Sequence, residues 1–259
     1  MDLRPVKKRE SCFPQTAVHD DKTLRLLWPQ WRGAAEYMVA QLTPGIPLDQ
    51  ARRGYSTGST VLQAILPDQH GPTATVPVTF GDEGTRHENG VDAKEAVLRQ
   101  LDAALRVIDS FEIERIVTLG GECPVSVAPF ASLAAKYGDD LAIVWVDSHP
   151  DVGTPASDYP GYHAMAVAVL VGHGDADIVK LLPATIPGSH VALAGLHSWT
   201  DDDFPNVAKW GLSSFSPNDL RESTQPLLDW LTTTGLQPRG NSPRRRRRRQ
   251  QRSNLRPRC

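Results

Sequence analysis

The pattern with the clearest chemical meaning is a set of three polar residues at alternate positions after an apolar run. Residues 141–146 are apolar, and Asp147, His149 and Asp151 follow. Alternate residues of an extended chain point to the same side, so three ligand-type side chains are expected to converge. The carboxyl end of a parallel strand is where open α/β sheets place their binding sites. Two carboxylates and one imidazole suit Mn²⁺, and less exclusively Zn²⁺ or Fe²⁺, so we favour a metal site over a solvated polar loop.

A second candidate ligand lies at the end of an earlier apolar run, residues 115–119. Gly120 and Gly121 follow this run, and Cys123 stands at the start of the next expected helix. Paired glycines allow a close approach of the backbone, and a helix start favours a thiolate. A small cysteine at such a place is more often simply packed. Beside the 147–151 set, however, Cys123 becomes a candidate fourth ligand.

A third element is a histidine at the start of an apolar segment, residues 163–171. The imidazole of His163 changes its charge near neutral pH, so next to a metal site it is suited to moving protons. Capping or packing of the helix is the alternative that the residue alone leaves open.

Alternating strands and helices must position these side chains. The apolar runs that read as buried strands are Thr23–Trp28, 73–80, 115–119, 141–146 and 191–196. Segments with helical spacing lie between and after them, at 93–111, 124–137, 163–171 and 217–234. This alternation indicates βαβ units around an open parallel sheet.

Three segments, taken in order, resemble the ureohydrolase family of arginases, agmatinases and formiminoglutamases. They are Gly-Gly-Glu-Cys at 120–123, Val-Asp-Ser-His-Pro-Asp at 146–151 and Gly-Tyr-His-Ala-Met at 161–165. The resemblance implies a three-layer α/β fold with a doubly wound, mostly parallel sheet. It also implies a metal-dependent hydrolase of linear amidines that cleaves a C–N bond in a small guanidino or amidine substrate, and a homo-oligomer.

The resemblance further implies a binuclear manganese site. Asp147 would bridge the two ions, Cys123 and Asp151 would complete one of them, and His149 would bind the other. His163 would be the proton shuttle, and a metal-bridging hydroxide would attack the guanidinium carbon. Cys123 stands where most of the family has histidine, which makes the first site softer and less selective for manganese.

Two further departures concern the substrate. The Ser-x-Asn with which arginases help to hold the amino-acid end of their substrate is not seen before His163, so arginine is not assured as the substrate. Acidic residues at 201–203 could meet a cationic substrate, but a solvated loop is the preferred interpretation of that cluster.

The two ends of the chain differ in character from its middle. We expect a disordered leader at 1–22, an incomplete arginase-like domain at 23–235 and a disordered Arg/Pro-rich tail at 236–259. The tail has ten arginines and no acidic residue, so the remainder has 18 basic against 30 acidic residues, a net charge of −12. The family's Ser-x-Asp-x-Asp-x-x-Asp-Pro strand is not found. We therefore expect the last strands to be missing and the activity to be impaired, and our hypothesis is a shifted reading frame or misassigned end near Leu236.

Composition narrows the remaining classes of function. No apolar run approaches the roughly 20 residues that span a bilayer, and the three cysteines are few and far apart. These features predict a cytoplasmic protein without a disulfide framework or membrane partner. A regulatory or scaffold protein that keeps the fold and at most one metal is the alternative to an enzyme. Nucleic-acid binding by the arginine tail is not favoured, because the acidic body would repel phosphates.

Overall fold

The structure is a computed structural model that describes residues 22–79, 81 and 84–236. The expected leader at 1–22 and the expected tail at 236–259 lie outside the described residues, apart from residues 22 and 236. The disorder expected for both segments stays a prediction.

Along the described residues, six short strands alternate with nine helices. The strands are β1 (Thr23–Trp28), β2 (Thr73–Thr75), β3 (Arg115–Gly120), β4 (Ile143–Val146), β5 (Val191–Ala194) and β6 (Ser213–Phe215). The helices are α1 (Glu36–Leu42), α2 (Leu48–Ile65), α3 (Lys94–Asp109), α4 (Val127–Tyr137), α5 (Ala166–Leu170), α6 (Ala176–Leu181), α7 (Pro205–Lys209), α8 (Pro217–Glu222) and α9 (Gln225–Thr233). Short 3-10 turns lie at Cys123–Ser126, Gly138–Asp140, Tyr162–Met165 and Gly188–His190. None of the described helices is both long and apolar enough to cross a bilayer.

The strands pair in parallel, which confirms the predicted α/β class. They form two three-stranded sheets, with the orders β2–β1–β3 and β4–β5–β6. The register places Leu27 beside Leu119 in the first sheet and Trp145 beside Leu193 in the second. One continuous sheet was expected; among the described strands, β3 and β4 each form an edge and are not paired with each other.

A single hydrophobic core nevertheless joins the two sheets. Spacing predicts an apolar stripe on α3 that consists of Ala96, Val97, Leu98, Leu101, Ala104, Leu105 and Ile108. All of these residues are buried except Leu98 and Leu105, which are partly buried and pack against the core that contains residues of both sheets. Each large aliphatic side chain buried in this way contributes about 1.5–3 kcal/mol to stability. Helices α3 and α4 pack against each other. Because α3 precedes β3 and α4 lies between β3 and β4, this contact fixes the position of the two strands relative to each other.

Valines on the two inner edges remain open to solvent. Val117 on β3 is 45% exposed, and Val144 and Val146 on β4 are 39% and 82% exposed. Their neighbours Ile143 and Trp145 are buried. Strand β4 is therefore packed on one face only, whereas parallel sheets in α/β proteins are usually covered on both.

Two predicted elements differ most from the structure. The strand expected at 73–80 ends at Thr75, and the helix expected at 217–234 is divided into α8 and α9. Ser216 begins α8 with a capping box, and Ser223 has an extended backbone (φ −161°) that ends it. Pro226 lacks an N–H group and so fits the first turn of α9 but not the interior of one long helix.

Candidate metal centre

Three of the predicted ligands converge at the carboxyl ends of β3 and β4. Cys123, Asp147 and Asp151 each offer a donor atom, and these atoms all lie within 4.8 Å of one another. Cys123 Sγ lies 3.8 Å from Asp147 Oδ2. Because Cys123 follows the first sheet and the aspartates follow the second, the cluster joins the two sheets.

The two glycines before Cys123 lie very close to neighbouring segments of the protein. A Cβ atom on Gly121 would collide with the carbonyl oxygen of Gln30, and one on Gly120 would collide with the side chain of Val125. The absence of side chains at these positions therefore lets the turn after β3 pass close to its neighbours and bring Cys123 to the cluster.

Asp147 is positioned by the end of β4. Its N–H donates to the carbonyl oxygen of Ala194 (3.2 Å), which extends the pairing with β5 by one residue. Its Oδ1 accepts the N–H of His149 at 2.9 Å, and the Ser148 hydroxyl lies 3.4 Å from the same oxygen. The Asp147 side chain thus bonds to the backbone that follows it, which ends the strand. Its other oxygen, Oδ2, faces Cys123.

Asp151 is held in place by its backbone. Its φ of +49° lies in the left-handed region, which aspartate tolerates better than most residues. Its carbonyl oxygen accepts the N–H groups of Val167 (2.9 Å) and Ala168 (3.2 Å) at the start of α5. The residue is 3% exposed, and its Oδ2 is buried without a hydrogen bond to the described residues. An unpaired buried carboxylate oxygen is costly, and a bound cation would satisfy it.

The three groups make the site acidic and crowded. Burial and then the charge of Asp147 raise the pKa of Asp151 to about 7, although the nearby polar hydrogens of Cys123 and Trp145 offset part of this. Burial and then the charges of Asp151 and Asp147 raise the pKa of the Cys123 thiol. A divalent cation would favour the deprotonated forms of all three groups, so this donor set fits a metal ion.

His149 lies beside Asp147 but outside the three-donor cluster. Its side chain is 58% exposed, and Nδ1 lies 3.0 Å from the Ser148 hydroxyl and 3.4 Å from Asp147 Oδ1. The alternation rule placed it with the aspartates, but the extended backbone ends at Val146 and the chain then bends. Within the described part of the chain, His149 is not a member of the three-donor group.

His163 lies in the 3-10 turn before α5 and is half-buried. Its N–H donates to the carbonyl oxygen of Gly33 (3.1 Å), and its ring centroid lies 5.2 Å from that of Tyr159. Burial and then the charge of His149 lower the pKa of His163 to about 4, while Asp147 and the contact with Gly33 offset part of that shift. The imidazole is therefore neutral at pH 7 and a weaker base than a solvent-exposed imidazole.

Glu122 is a site residue that the sequence reasoning did not single out. It is buried, and its carboxylate accepts the N–H groups of Gly33 and Ala34, the latter at 3.2 Å. A Cβ atom on Gly33 would collide with this carboxylate. Glu122 therefore ties the neighbour of Cys123 to the segment that receives the His163 N–H, and its place within the Gly-Gly-Glu-Cys segment was the signal available in the sequence.

Two of the acidic residues at 201–203 form hydrogen bonds to the loop at 157–158. Asp203 is buried and accepts the Ser157 hydroxyl (2.5 Å), and Asp202 accepts the N–H of Asp158 (2.9 Å). The interpretation as a solvated loop is therefore wrong for Asp203.

Known proteins resemble this chain over most of its length. The profile of the Arginase family matches residues 44–233. The arginase of Entamoeba histolytica is 23% identical over 165 residues, which span 62% of this chain and 55% of that protein. The arginase of Bacillus subtilis is 24% identical over 191 residues, which span 68% of this chain and 64% of that protein. The matched region is thus between half and two thirds of these relatives.

Solved structures share the fold. The Entamoeba histolytica arginase in complex with L-ornithine superposes with a TM-score of 0.65 at 15% identity, covering 83% of this chain and 72% of that chain. The Trypanosoma cruzi formiminoglutamase with Mn²⁺ superposes with a TM-score of 0.56 at 13% identity, covering 86% and 70%. At these identities the likeness shows the fold alone, and the family is shown by the match to the Arginase profile. This chain therefore belongs to the arginase family.

Proposed function

We propose that this protein is a metal-dependent hydrolase that cleaves a C–N bond in a small guanidino or amidine compound. The observation that carries the proposal is the convergence of Cys123, Asp147 and Asp151, with a buried Asp151 oxygen that lacks a hydrogen bond in the described residues. Such a group is costly in a protein without a cation and useful in one that binds it.

Cys123, Asp147 and Asp151 would hold the cation. When bound, a divalent cation supplies Lewis-acid chemistry: it lowers the pKa of water and polarises the substrate. The family resemblance and the formiminoglutamase with Mn²⁺ make manganese the first ion to test, while Zn²⁺ and Fe²⁺ are also compatible with the donor types.

The protein's own groups provide proton handling and substrate attraction. The family resemblance assigns proton transfer to His163, whose unprotonated imidazole at pH 7 has a free nitrogen lone pair for that role. The net negative charge of the carboxylates favours a cationic guanidinium or amidinium substrate. Binding of L-ornithine by the Entamoeba histolytica relative supports a small cationic substrate.

The second candidate is a regulatory or scaffold protein that keeps the fold and at most one metal. The exposure of His149 outside the cluster favours it, as do the unpaired edges of β3 and β4 among the described strands. For the same reasons we expect catalysis by the chain to be weak.

The two candidates differ in metal-dependent turnover. The full chain, stripped with chelator and reloaded with Mn²⁺, Zn²⁺ or Fe²⁺, would be incubated with arginine, agmatine, guanidino acids and N-formimino amino acids, and the release of urea, ammonia or formamide measured. We expect release that requires the cation and is lost in Asp147→Asn but kept in Asp139→Asn, an exposed control. A folded, metal-loaded protein that releases no product from any compound would support the scaffold instead.

Cytoplasmic location, a homo-oligomer and the lack of a nucleic-acid partner stay predictions. Sedimentation of the full chain tests the second, and binding of duplex DNA at low salt tests the third.

A further inference from the structure

We infer that the Cys123–Asp147–Asp151 group binds one thiolate-preferring divalent cation, of the Zn²⁺ or Co²⁺ kind, in preference to Mn²⁺. The inference deepens the proposed function and rests on it for the role of the site, because it names the ion that this particular donor set selects.

The first argument is the chemistry of the donors. The sulfur of Cys123 is a soft ligand, and soft ligands favour Zn²⁺ and related ions, whereas Mn²⁺ prefers oxygen donors. Mn²⁺ also stands at the weak end of the affinity order of divalent ions for mixed N, O and S sites. Replacing a hard donor by sulfur therefore moves the preference further from Mn²⁺.

The second argument is that the sulfur is fixed towards the carboxylates. Cys123 Sγ lies 3.8 Å from Asp147 Oδ2 and within 4.8 Å of a donor oxygen of Asp151. The preceding residue, Glu122, is anchored through Gly33 and Ala34, so the backbone beside the thiol is held in place. Cys123 also packs against the hydrophobic core, but its sulfur lies beside two acidic groups.

The third argument points to a ligand independently of the cysteine. Asp151 is 3% exposed, and its Oδ2 makes no hydrogen bond within the residues that the structure describes. Its backbone is held in a left-handed conformation by the start of α5, so the carboxylate cannot turn to solvent without rearrangement. A cation between Asp151, Asp147 and Cys123 satisfies this oxygen.

The number of donors points to one ion. Three protein donors plus an open position is the arrangement of catalytic zinc sites. His149, which the family resemblance assigns to a second ion, lies outside the three-donor group of the described residues and is 58% exposed. Its Nδ1 lies 3.4 Å from Asp147 Oδ1, whereas the other oxygen of Asp147, Oδ2, faces Cys123.

The test is metal competition in the full chain, freed of metal with chelator under reducing conditions. Cobalt titration is expected to produce a near-ultraviolet thiolate-to-cobalt charge-transfer band that saturates at one equivalent. Zn²⁺ should abolish this band stoichiometrically, whereas Mn²⁺ in about a hundredfold excess should leave it. A second saturating equivalent, a cobalt complex without the band, or displacement by equimolar Mn²⁺ would each overturn the inference.

Variants of the cysteines assign the band. Cys123→Ser keeps the size of the side chain, and it should lose the band and reduce the preference for Zn²⁺ over Mn²⁺ at least about tenfold. The matched control replaces the other two cysteines, Cys12→Ser with Cys259→Ser, and should keep both. Survival of the band in Cys123→Ser, or its loss in the control, contradicts the assignment. If Cys123→Ser does not fold, as judged by circular dichroism, the competition in the unmutated chain still decides.

Failure of this inference is distinguishable from failure of the proposed function. Selective binding of one Zn²⁺ or Co²⁺ without product release from any guanidino or amidine compound would refute the function and leave the ion preference standing. Turnover in a chain that binds Mn²⁺ as tightly as Zn²⁺ would do the reverse.

Discussion

Replacing Asp151 by asparagine is expected to stabilise the metal-free protein at alkaline pH and to abolish cation binding. The carboxyl group is 3% exposed and shares its site with Asp147, and both effects raise its pKa to about 7. In the unfolded chain the same group has a pKa of about 3.9. The metal-free fold therefore resists the ionisation of Asp151, and asparagine of nearly the same size removes that charge.

The magnitude follows from the difference between the two pKa values. A folded pKa that is raised by about three units destabilises the ionised fold by about 4 kcal/mol. The stability that comes from keeping Asp151 protonated is fully present below about pH 4, falls as the pH rises from 4 to 7, and is lost above 7. Burying an unpaired amide in Asp151→Asn costs about 1–3 kcal/mol, so the net gain at pH 8 is about 1–3 kcal/mol. For a domain of this size that raises Tm by roughly 2–12 °C.

The assay is thermal unfolding followed by circular dichroism from about pH 5 to about pH 9 in chelator, where this linkage acts. The unmutated chain should lose stability as the pH rises, Asp151→Asn should lose less, and the exposed control Asp139→Asn should follow the unmutated chain. Adding Zn²⁺ at about a hundred times its Kd should stabilise the unmutated chain by about 2.7 kcal/mol and leave Asp151→Asn unchanged. A variant no more stable than the unmutated chain at pH 8 in chelator would refute the reasoning.

Three further predictions concern groups around the site and the core. The pKa of His163 in the folded protein is about 4, so the stability gained by keeping this imidazole neutral is present above pH 6.5 and lost as the pH falls to 4. His163→Gln should therefore reduce the acid sensitivity of Tm by an amount equivalent to at most about 3 kcal/mol. Equal acid sensitivity in both proteins would contradict this prediction. Lys94 Nζ lies 2.9 Å from the buried carboxylate of Asp175, and Lys94→Met removes this ion pair. The free energy of unfolding measured in urea should fall by about 3–5 kcal/mol. A fall of less than about 1 kcal/mol would mean that the pair contributes no more than a surface ion pair. Gly33→Ala should lower Tm and weaken cation binding measured by calorimetry, because the added methyl group meets the buried Glu122 carboxylate, whereas Gly54→Ala, which has open space, should be neutral or mildly stabilising; equal effects of the two changes would rule out that collision.

The spacing of apolar residues was sufficient to predict helices and strands in which that spacing is regular. The stripe of α3 repeats at helical spacing, and the structure places Lys94–Asp109 in one helix where 93–111 was expected. Helix α2 was not predicted, although Leu48–Ile65 is amphipathic. Its glycine, serine and threonine residues have low helix propensity and made its helical spacing harder to recognise.

The site shows the same division between local and distant information. The side chain of Asp147 was predictable, because an aspartate directly after a buried strand lies at the carboxyl end of a sheet. The convergence of His149 with both aspartates did not follow from spacing alone, since the alternation of an extended chain ends where Asp147 accepts the N–H of His149. The role of His149 as a ligand stays a prediction. The approach of Cys123 to Asp147 depends on how two sheets pack, so the residues alone made Cys123 a candidate ligand and the family resemblance assigned it to the metal.

The arrangement of donors gives the metal a structural role as well as a chemical one. Cys123 follows the first sheet and Asp147 follows the second, and β3 and β4 share no backbone hydrogen bonds in the described part of the chain. What holds their carboxyl ends together without metal is the apolar core below them, while the acidic side chains at the junction repel one another. A cation at this junction would convert that repulsion into three attractive contacts that cross between the sheets. Metal binding and the stability of the junction are thus coupled through the same three side chains, and a change of ligand type at Cys123 alters both.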